Sequence, residues 1–291
     1  MGPKGARAPR IPPKTIMQIP HWKLPAGVSH GTWEYLHRPS IADDYDDYFA
    51  ENSLFKFDEQ LLADEFQPTG LVADLGCGTG RALVPLCRQG HSGLAIDLSA
   101  HMLRIVREKA EAEELDIECL EANLVDLSPD LIATETVDYA MCMFSTLGMI
   151  RGHANRLAAL RSAHRILQPG GKLVLHVHNF WFNLRDPGGP WWVLRSLVEG
   201  TLRRKMEIGD KYFPYRGVPD MFLHVFRPGE LRRLVRRAGF QILRWIPLEV
   251  TRRHPLSKPW LLGNLRANGW ILVLQKPDDL ADTPPRLPPP P

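Results

Sequence analysis

The stretch VADLGCGTGR, residues 72–81, determines how the fold of this chain begins. An apolar run leads to Asp74, and glycines then occupy every second position, at Gly76, Gly78 and Gly80. This arrangement is typical of a buried strand that turns sharply into a helix, because glycine adopts positive φ without strain and has no Cβ to keep a ligand away from the backbone. The following helix begins with unpaired N–H groups. The stretch therefore predicts a small-molecule docking site at the end of the first strand.

Two ligand classes use such a turn, the dinucleotides and S-adenosylmethionine, and the glycine spacing favours the second. A dinucleotide-binding turn has the pattern GxGxxG, in which the third glycine lets the helix pack closely on the strand. Arg81 occupies that position here, and the third glycine falls one residue early. An NAD-dependent oxidoreductase is therefore disfavoured.

Strand-like and helical patterns alternate along the rest of the chain. The strand-like runs are residues 71–75, 92–97, 117–121, 137–143 and 172–178, followed later by 243–250 and 269–277. Helical patterns separate the first five runs, and residues 32–66 before them are also helical in pattern. Such alternation predicts a parallel α/β sheet.

The order of these segments resembles the class I S-adenosylmethionine-dependent methyltransferases of the small-molecule type. The first motif of that family is an acidic residue followed by xGxGxG, as in residues 74–80. Later segments that resemble the family are SGLAIDLSAHML (92–103), IECLEANLVDL (117–127), VDYAMCMFSTLGMI (137–150), RILQPGGKLVLHVHN (165–179) and FRPGELRRLVRRAGF (226–240). The resemblance implies a doubly wound, Rossmann-like, seven-stranded and mostly parallel sheet with an antiparallel C-terminal hairpin.

The resemblance also implies S-adenosyl-L-methionine as the cofactor and assigns its contacts. Asp97 corresponds to the acidic residue that holds the ribose hydroxyls, and Asn123 stands where the family usually has an aspartate beside adenine. The amide oxygen of Asn123 can still accept a hydrogen bond, but without charge. Tyr45 matches an AxxYD pattern whose ring closes over the methionine end. The residues implied to contact the cofactor are Tyr45, Asp74, Gly76, Cys77, Gly78, Asp97, Leu98, Ala122, Asn123, Leu124 and Met143.

An aromatic-rich insertion, residues 180–226, leaves the carboxyl end of the fifth strand. Ligands of open α/β sheets bind beyond those ends, so the insertion is predicted to be a lid over the acceptor pocket. Its rings either line an apolar acceptor cavity or pack a small core of the insertion itself. These rings are Trp181, Trp191, Trp192, Tyr212, Phe213 and Tyr215.

His178 is the leading candidate for catalysis. His176 and His178 share one side of the fifth strand, and His178 is nearer its carboxyl end. His178 is predicted to act as a general base or to orient the acceptor; the alternative is a structural histidine hydrogen-bonded beneath a helix. Tyr215 is the second catalytic candidate, and His153 and His224 are competitors. The HxH spacing has no clear third ligand, so no metal site is predicted.

Composition predicts a single globular domain. The chain has 291 residues, of which 44% are hydrophobic. We expect a methyltransferase domain over residues 21–277, between disordered Pro-rich tails at 1–20 and 278–291. The four cysteines form no CxxC pair, and neither an apolar run of membrane-spanning length nor a secretory signal is present. A cytoplasmic enzyme without a membrane partner is therefore expected, and its oligomeric state is left open.

Charge leaves the class of acceptor open. Residues 34–70 contain ten Asp/Glu against two Lys/Arg, whereas residues 195–253 contain fourteen Lys/Arg against six Asp/Glu. The basic region, with Arg203, Arg204 and Lys205, suits an RNA or protein methyltransferase. No Asn/Asp-Pro-Pro-aromatic motif follows the fourth strand, and no RNA-binding module is recognisable, so methyl transfer to an oxygen or nitrogen of a small molecule is favoured. A non-catalytic S-adenosylmethionine-binding protein is the third alternative.

Overall fold

The computed structural model describes residues 20–46, 55–202 and 206–278. The predicted tails, apart from Pro20 and Asp278, lie outside the described residues, as do Arg203, Arg204 and Lys205.

A seven-stranded sheet forms the centre of the fold. The strands of the described chain are β1 Leu71–Leu75, β2 Ser92–Asp97, β3 Ile117–Glu121, β4 Val137–Cys142, β5 Leu167–His178, β6 Asp210–Tyr215, β7 Val218–His224, β8 Gln241–Pro247 and β9 Gly269–Gln275. The central sheet has the order β3-β2-β1-β4-β5-β9-β8. Its first five strands are parallel, and β9 runs antiparallel to both β5 and β8. The predicted sheet and its C-terminal antiparallel hairpin are confirmed.

Helices connect the strands. Their bounds are α1 His30–Leu36, α2 Pro39–Asp43, α3 Phe55–Glu65, α4 Leu83–Cys87, α5 Ala100–Ala112, α6 Thr146–Met149, α7 His153–Ile166, α8 Gly189–Leu202, α9 Pro228–Arg237 and α10 Gly263–Arg266. Short 3-10 helices lie at His21–Lys23, Leu124–Asp126 and Phe180–Arg185. Within the described ranges, none of these helices combines the length and the apolar character that crossing a bilayer requires.

The strands of the sheet centre are buried on both faces. In β9, Trp270, Leu272 and Leu274 pack in the core on one face of the sheet, whereas Ile271 and Val273 pack in the core on the other. Successive side chains of a strand point to opposite faces, so a strand covered on both sides must be apolar at nearly every position. This double burial explains the uninterrupted hydrophobic run of β9.

The insertion after β5 contains a hairpin that the sequence did not predict. Strands β6 and β7 pair antiparallel in a separate two-stranded sheet. Arg216 and Gly217 connect them, both at positive φ, which is the requirement of the type I′ turn that suits a two-residue hairpin loop. Pro214 and Pro219 obscured the hairpin, because proline within a run normally argues against a strand.

The crevice for a ligand follows from the strand order. β1 pairs with β2 on one side and with β4 on the other, so the winding of the sheet reverses between β1 and β4. In open α/β sheets the binding crevice forms at the carboxyl ends of the strands flanking this reversal. The glycine turn after β1 lies at that place.

Candidate active site

A cavity of about 560 Å³ opens at the carboxyl ends of the parallel strands. Its lining includes every residue that the sequence assigned to the cofactor or to catalysis, namely Tyr45, Asp74, Gly76, Cys77, Gly78, Asp97, Leu98, Ala122, Asn123, Leu124, Met143, His178 and Tyr215. The fold thus brings together residues from seven separate segments of the chain. Their individual roles remain predictions.

Backbone hydrogen bonds hold the glycine turn against β2. The N–H groups of Gly76 and Cys77 donate to the carbonyl oxygen of Ile96, at 2.8 and 3.1 Å. Gly76 has a φ of +83°, and a Cβ built there would lie 2.3 Å from the Thr146 side chain. Any larger residue at this position would collide with the segment that follows β4.

Gly78 leaves open space in the cavity. Its φ is +53°, and the nearest atoms to a Cβ built there belong to the ring of Tyr45, at 4.0 Å. A ligand can therefore lie directly on the backbone at Gly78, beneath the tyrosine ring.

Asp97 at the end of β2 is anchored by the same turn. Its carboxylate oxygens accept from the backbone N–H of Gly78 at 2.9 Å and of Ser99 at 2.8 Å. Burial raises the pKa of Asp97, and these backbone N–H groups oppose that shift. Each carboxylate oxygen has a second lone pair for a further donor, such as a sugar hydroxyl.

Asp74 sits at the carboxyl end of β1 in a still more buried position. Burial and the neighbouring charge of Asp97 raise the pKa of Asp74 to about 8, and Arg81 acts in the opposite direction. Two nearby carboxyl groups in a site of low polarity do not both ionise readily. Asp74 therefore binds a proton more readily than an exposed aspartate.

Asn123 links the cavity to the N-terminal segment of the described chain. Its amide oxygen accepts from the N–H of Val125 at 3.1 Å, and its amide nitrogen donates to the carbonyl oxygen of Ala26 at 2.9 Å. Residues 26–28 also line the cavity. This contact has no signal in the sequence, because residues 26–28 carry no motif and lie about a hundred positions from Asn123.

Arg81, which follows the glycine turn and disfavours a dinucleotide there, also lines the cavity. Its guanidinium lies 4.2 Å from the centroid of Phe144 and 6.0 Å from that of Tyr45. Burial raises the pKa of Tyr45 to about 12, so its hydroxyl is protonated at neutral pH.

His178, Lys211 and Arg252 meet at the other end of the cavity. Burial and the neighbouring Arg252 lower the pKa of His178 to about 3, and a hydrogen bond with the side chain of Asn268 acts against this shift. The imidazole is therefore neutral at physiological pH. The Nζ of Lys211 donates to the amide oxygen of Asn183 at 2.7 Å.

Some aromatic rings of the insertion line the cavity, and others pack a small core of the insertion itself. Phe213 and Tyr215 line the cavity. Trp181 and Trp192 instead pack against Phe180 in a small core of the insertion. The remaining two rings, Trp191 and Tyr212, are exposed.

Neither competing histidine lines this cavity. His224 is fully buried and is held by Asp210 through Nδ1 and by Glu230 through Nε2, both at 2.8 Å. Ligand atoms of Glu207, Asp210 and His224 lie within 4.8 Å of one another, as in a metal site. Both ring nitrogens of His224 already have carboxylate partners, Asp210 and Glu230. His153 begins α7 and donates its backbone N–H to Glu207 at 2.6 Å.

Comparisons with known proteins indicate the family of the central part of the chain. Residues 72–171 match a family model described as a methyltransferase domain. This match covers the glycine turn, Asp97, Asn123 and the first five residues of β5, and it ends before His178. Residues 72–171 are therefore a methyltransferase domain, and the strand order and the glycine turn are those of the class I, S-adenosylmethionine-dependent type. Its cofactor is S-adenosylmethionine.

Individual relatives are similar to the methyltransferase domain over part of their length. The chain is 29% identical over 180 residues to the ubiquinone biosynthesis O-methyltransferase of Cereibacter sphaeroides, covering 59% of this chain and 67% of that protein. It is 27% identical over 178 residues to the demethylmenaquinone methyltransferase of Thermus thermophilus, covering 59% and 74%. The chain spans 42 to 67% of the length of the first three curated relatives that it matches.

The fold has solved counterparts. A crystal structure of a SAM-dependent methyltransferase from Methanosarcina mazei superimposes with a TM-score of 0.60 at 21% identity, covering 75% of this chain and 98% of that chain. At this level of identity the likeness concerns the fold.

The cavity of the methyltransferase domain suits its cofactor. A volume of about 560 Å³ lies within the usual range of small-molecule pockets. Gly78 leaves bare backbone open to the cavity, and Asp97 has carboxylate oxygens that can accept hydrogen bonds from hydroxyl groups. Asp74, the half-buried Asn123 and the ring of Tyr45 border the same space.

Proposed function

We propose that this chain transfers a methyl group from S-adenosylmethionine to an acidic hydroxyl of an apolar, ring-bearing small molecule. The observation that carries this proposal is the charge at the acceptor end of the cavity. Lys211 and Arg252 lie there with His178, whereas the carboxyl groups that line the cavity within the described chain, Asp74 and Asp97, belong to the cofactor end. The carboxylate of Asp186, which is not part of the lining, lies 3.7 Å from the Nζ of Lys211. Cationic groups lower the pKa of an acidic hydroxyl and favour its oxyanion.

The walls of this end suit a ring-bearing acceptor. Phe182, Phe213 and Phe222 line the cavity together with aliphatic side chains of the insertion. Aromatic rings bury a large apolar area and stack or pack edge-to-face with another ring. The insertion thus excludes water and holds the acceptor in place.

The bound sulfonium supplies an electrophilic methyl group, so the protein has to position the attacking atom rather than activate a bond. His178 is a weak base because its pKa is low, but its neutral imidazole can accept or donate a hydrogen bond at neutral pH. We assign it the role of orienting the acceptor oxygen. Lys211 and Arg252 stabilise the oxyanion, and Tyr45 and Tyr215 close the cavity over the two ligands.

The relatives named above support transfer to a small molecule. One of them is named as an O-methyltransferase of ubiquinone biosynthesis and the other as a methyltransferase of demethylmenaquinone. The basic residues of 195–253, which suited RNA, are divided among different surroundings: Arg244 pairs with Glu65, Arg232 lies over Trp245, and Arg252 faces the cavity. This distribution does not favour a continuous nucleic-acid surface.

The test is methyl transfer to matched pairs of aromatic acceptors that differ in the attacking group. A phenol is expected to be methylated, faster when a ring substituent makes it more acidic, and the corresponding aniline more slowly. Faster methylation of the aniline would contradict the proposed acceptor class. Cofactor binding without transfer to any acceptor would favour a non-catalytic protein, and transfer to RNA that falls steeply with salt would favour the nucleic-acid alternative.

A further inference from the structure

Helix α8 is apolar on two opposite faces. Val193 and Leu197 pack inward against Phe180. On the outward side Trp191 is 71% exposed and Leu202 is 78% exposed, with Leu194 and Val198 in the same row. A helix that is apolar on all sides is normally covered on all sides.

A neighbouring segment presents further apolar side chains. Trp260 is 79% exposed, and Leu261, Leu262 and Leu265 beside it are also exposed. This segment includes α10, and both α8 and α10 pack on the 3-10 helix Phe180–Arg185. We define the outer apolar surface as the exposed residues of these three adjoining elements: Leu184, Trp191, Leu194, Val198, Leu202, Trp260, Leu261, Leu262 and Leu265.

Positive charge accompanies this surface. Apart from Arg252, which faces the cavity, residues 180–202 and 250–266 together contain five Lys/Arg against two Asp/Glu, and the second segment has no acidic residue. Arg185, Arg195 and Lys258 are exposed on the elements that carry the apolar residues. In the sequence α8 continues directly into Arg203, Arg204 and Lys205.

We propose that the outer apolar surface docks on a lipid bilayer with anionic headgroups. Exposed apolar area of this extent marks an interaction site. Leucine and tryptophan side chains flanked by cations are the composition that inserts at the boundary of acyl chains and headgroups. Cations near the surface are attracted to anionic lipid. A second copy of the chain would instead bring two basic surfaces together, which like-charge repulsion opposes.

The docked orientation has a consequence for the cavity. The 3-10 helix Phe180–Arg185 carries exposed Leu184 and also contributes Phe182 and Asn183 to the cavity lining. Docking therefore brings the acceptor end close to the bilayer. The docking itself does not depend on the proposed methyl transfer.

The experiment is co-sedimentation of the full chain, without cofactor or acceptor, with vesicles of phosphatidylcholine alone or mixed with phosphatidylglycerol. Binding to the mixed vesicles is expected, with clear weakening at high salt. Equal binding to the neutral vesicles, or no binding to either, would overturn the proposal. Sedimentation measures vesicle binding alone, so a failure to bind vesicles would not count against the proposed methyl transfer. A failure of methyl transfer would likewise not count against vesicle binding.

Two double variants locate the surface: Leu194→Ser with Leu202→Ser on α8, and Trp260→Ser with Leu261→Ser on the neighbouring segment. Each is expected to weaken vesicle binding by about tenfold or more. Leu131→Ser is the matched control, because Leu131 is 51% exposed in the loop that precedes β4, at the amino ends of the parallel strands and not at the carboxyl ends where the cavity opens. Unchanged vesicle binding by both double variants would overturn the proposal. It would also be overturned if light scattering showed a wild-type dimer and a monomer for the α8 double variant.

Discussion

The carboxylate of Asp97 accepts a hydrogen bond at 2.9 Å from the backbone N–H of Gly78. Asp97 is the acid proposed to hold the ribose, and Gly78 provides the backbone proposed to lie beneath the cofactor. The bond therefore couples the two halves of the cofactor site, the end of β2 and the turn after β1.

Asp97→Ala is expected to weaken binding of S-adenosylhomocysteine by about 1 to 3 kcal/mol, since a charged acceptor for the ribose hydroxyls is removed. Isothermal titration calorimetry measures the change. Asp130→Ala is the control, because Asp130 is exposed in the loop before β4. An unchanged dissociation constant for Asp97→Ala would remove this residue from the cofactor site.

Gly78→Ala tests the open backbone of the turn. Alanine at a φ of +53° costs about 1 kcal/mol of stability, and its methyl group would enter the space below Tyr45. We expect cofactor affinity to fall by about tenfold, beyond the effect of strain. Gly188→Ala is the matched control, with a φ of +74° and no atom within 4 Å of the new Cβ. Equal cofactor affinity in the two variants would show that backbone strain alone matters.

The sheet and its ligand turn were predictable because their signals are local. The glycine spacing of residues 72–81 and the alternation of apolar runs with helical patterns each act within a few positions of the chain. The corresponding strands and the C-terminal hairpin are all present. The strand boundaries differ by a few residues, most of all in β5, which begins at Leu167 rather than at 172.

The acceptor end was less predictable because it depends on tertiary contacts. Lys211 and Arg252 are forty positions apart and belong to no common motif, yet they line the same cavity as His178. The covering of Asn123 by residues 26–28 is similarly long-range. Phe213 faces the cavity, whereas its neighbour Tyr212 is exposed. Sequence periodicity could not predict these opposite orientations, because they alternate along a hairpin strand that the prolines concealed.

Lys211→Met is expected to raise KM for an acidic phenol by about tenfold, since a charge-assisted interaction with the oxyanion is lost. Steady-state kinetics at saturating cofactor give the value, and Lys211→Arg is expected to retain most of the wild-type affinity. Lys56→Met is the control, because Lys56 is exposed on α3. A tenfold effect on a neutral acceptor of equal size would argue against a role in charge recognition.

The pH profile tests the role of His178. Because its pKa is lowered to about 3, His178 is neutral from pH 5 to 8, and we expect no inflection from it in kcat/KM over this range. An inflection that follows the pKa of the acceptor hydroxyl is expected instead. His178→Ala should lower kcat/KM by about tenfold to a hundredfold at every pH in this interval, whereas the exposed His254→Ala should not change it. A wild-type inflection near pH 6.5 that disappears in His178→Ala would indicate a general base of ordinary pKa.

His176 makes stability depend on pH. It is 2% exposed, neither ring nitrogen has a hydrogen-bond partner among the described residues, and burial lowers its pKa well below 6.5. Below pH 6.5 the unfolded chain therefore binds a proton that the folded protein does not, so stability is present above pH 6.5 and is lost as the pH falls. For this one group the loss is about 1.4 kcal/mol per pH unit.

His176→Phe removes this titration and keeps an aromatic ring beside Phe144. Urea unfolding at pH 7.5, 6.5, 5.5 and 5.0 is expected to show the wild type losing stability relative to the variant as the pH falls from 6.5 to 5.0. Asp74, whose raised pKa acts in the opposite direction, is present in both proteins and cancels in the difference. His254→Phe should run parallel to the wild type, because an exposed imidazole titrates alike in both states. Parallel curves for His176→Phe would mean that water reaches the buried imidazole and that the packing of His176 between Phe144 and His178 opens in solution.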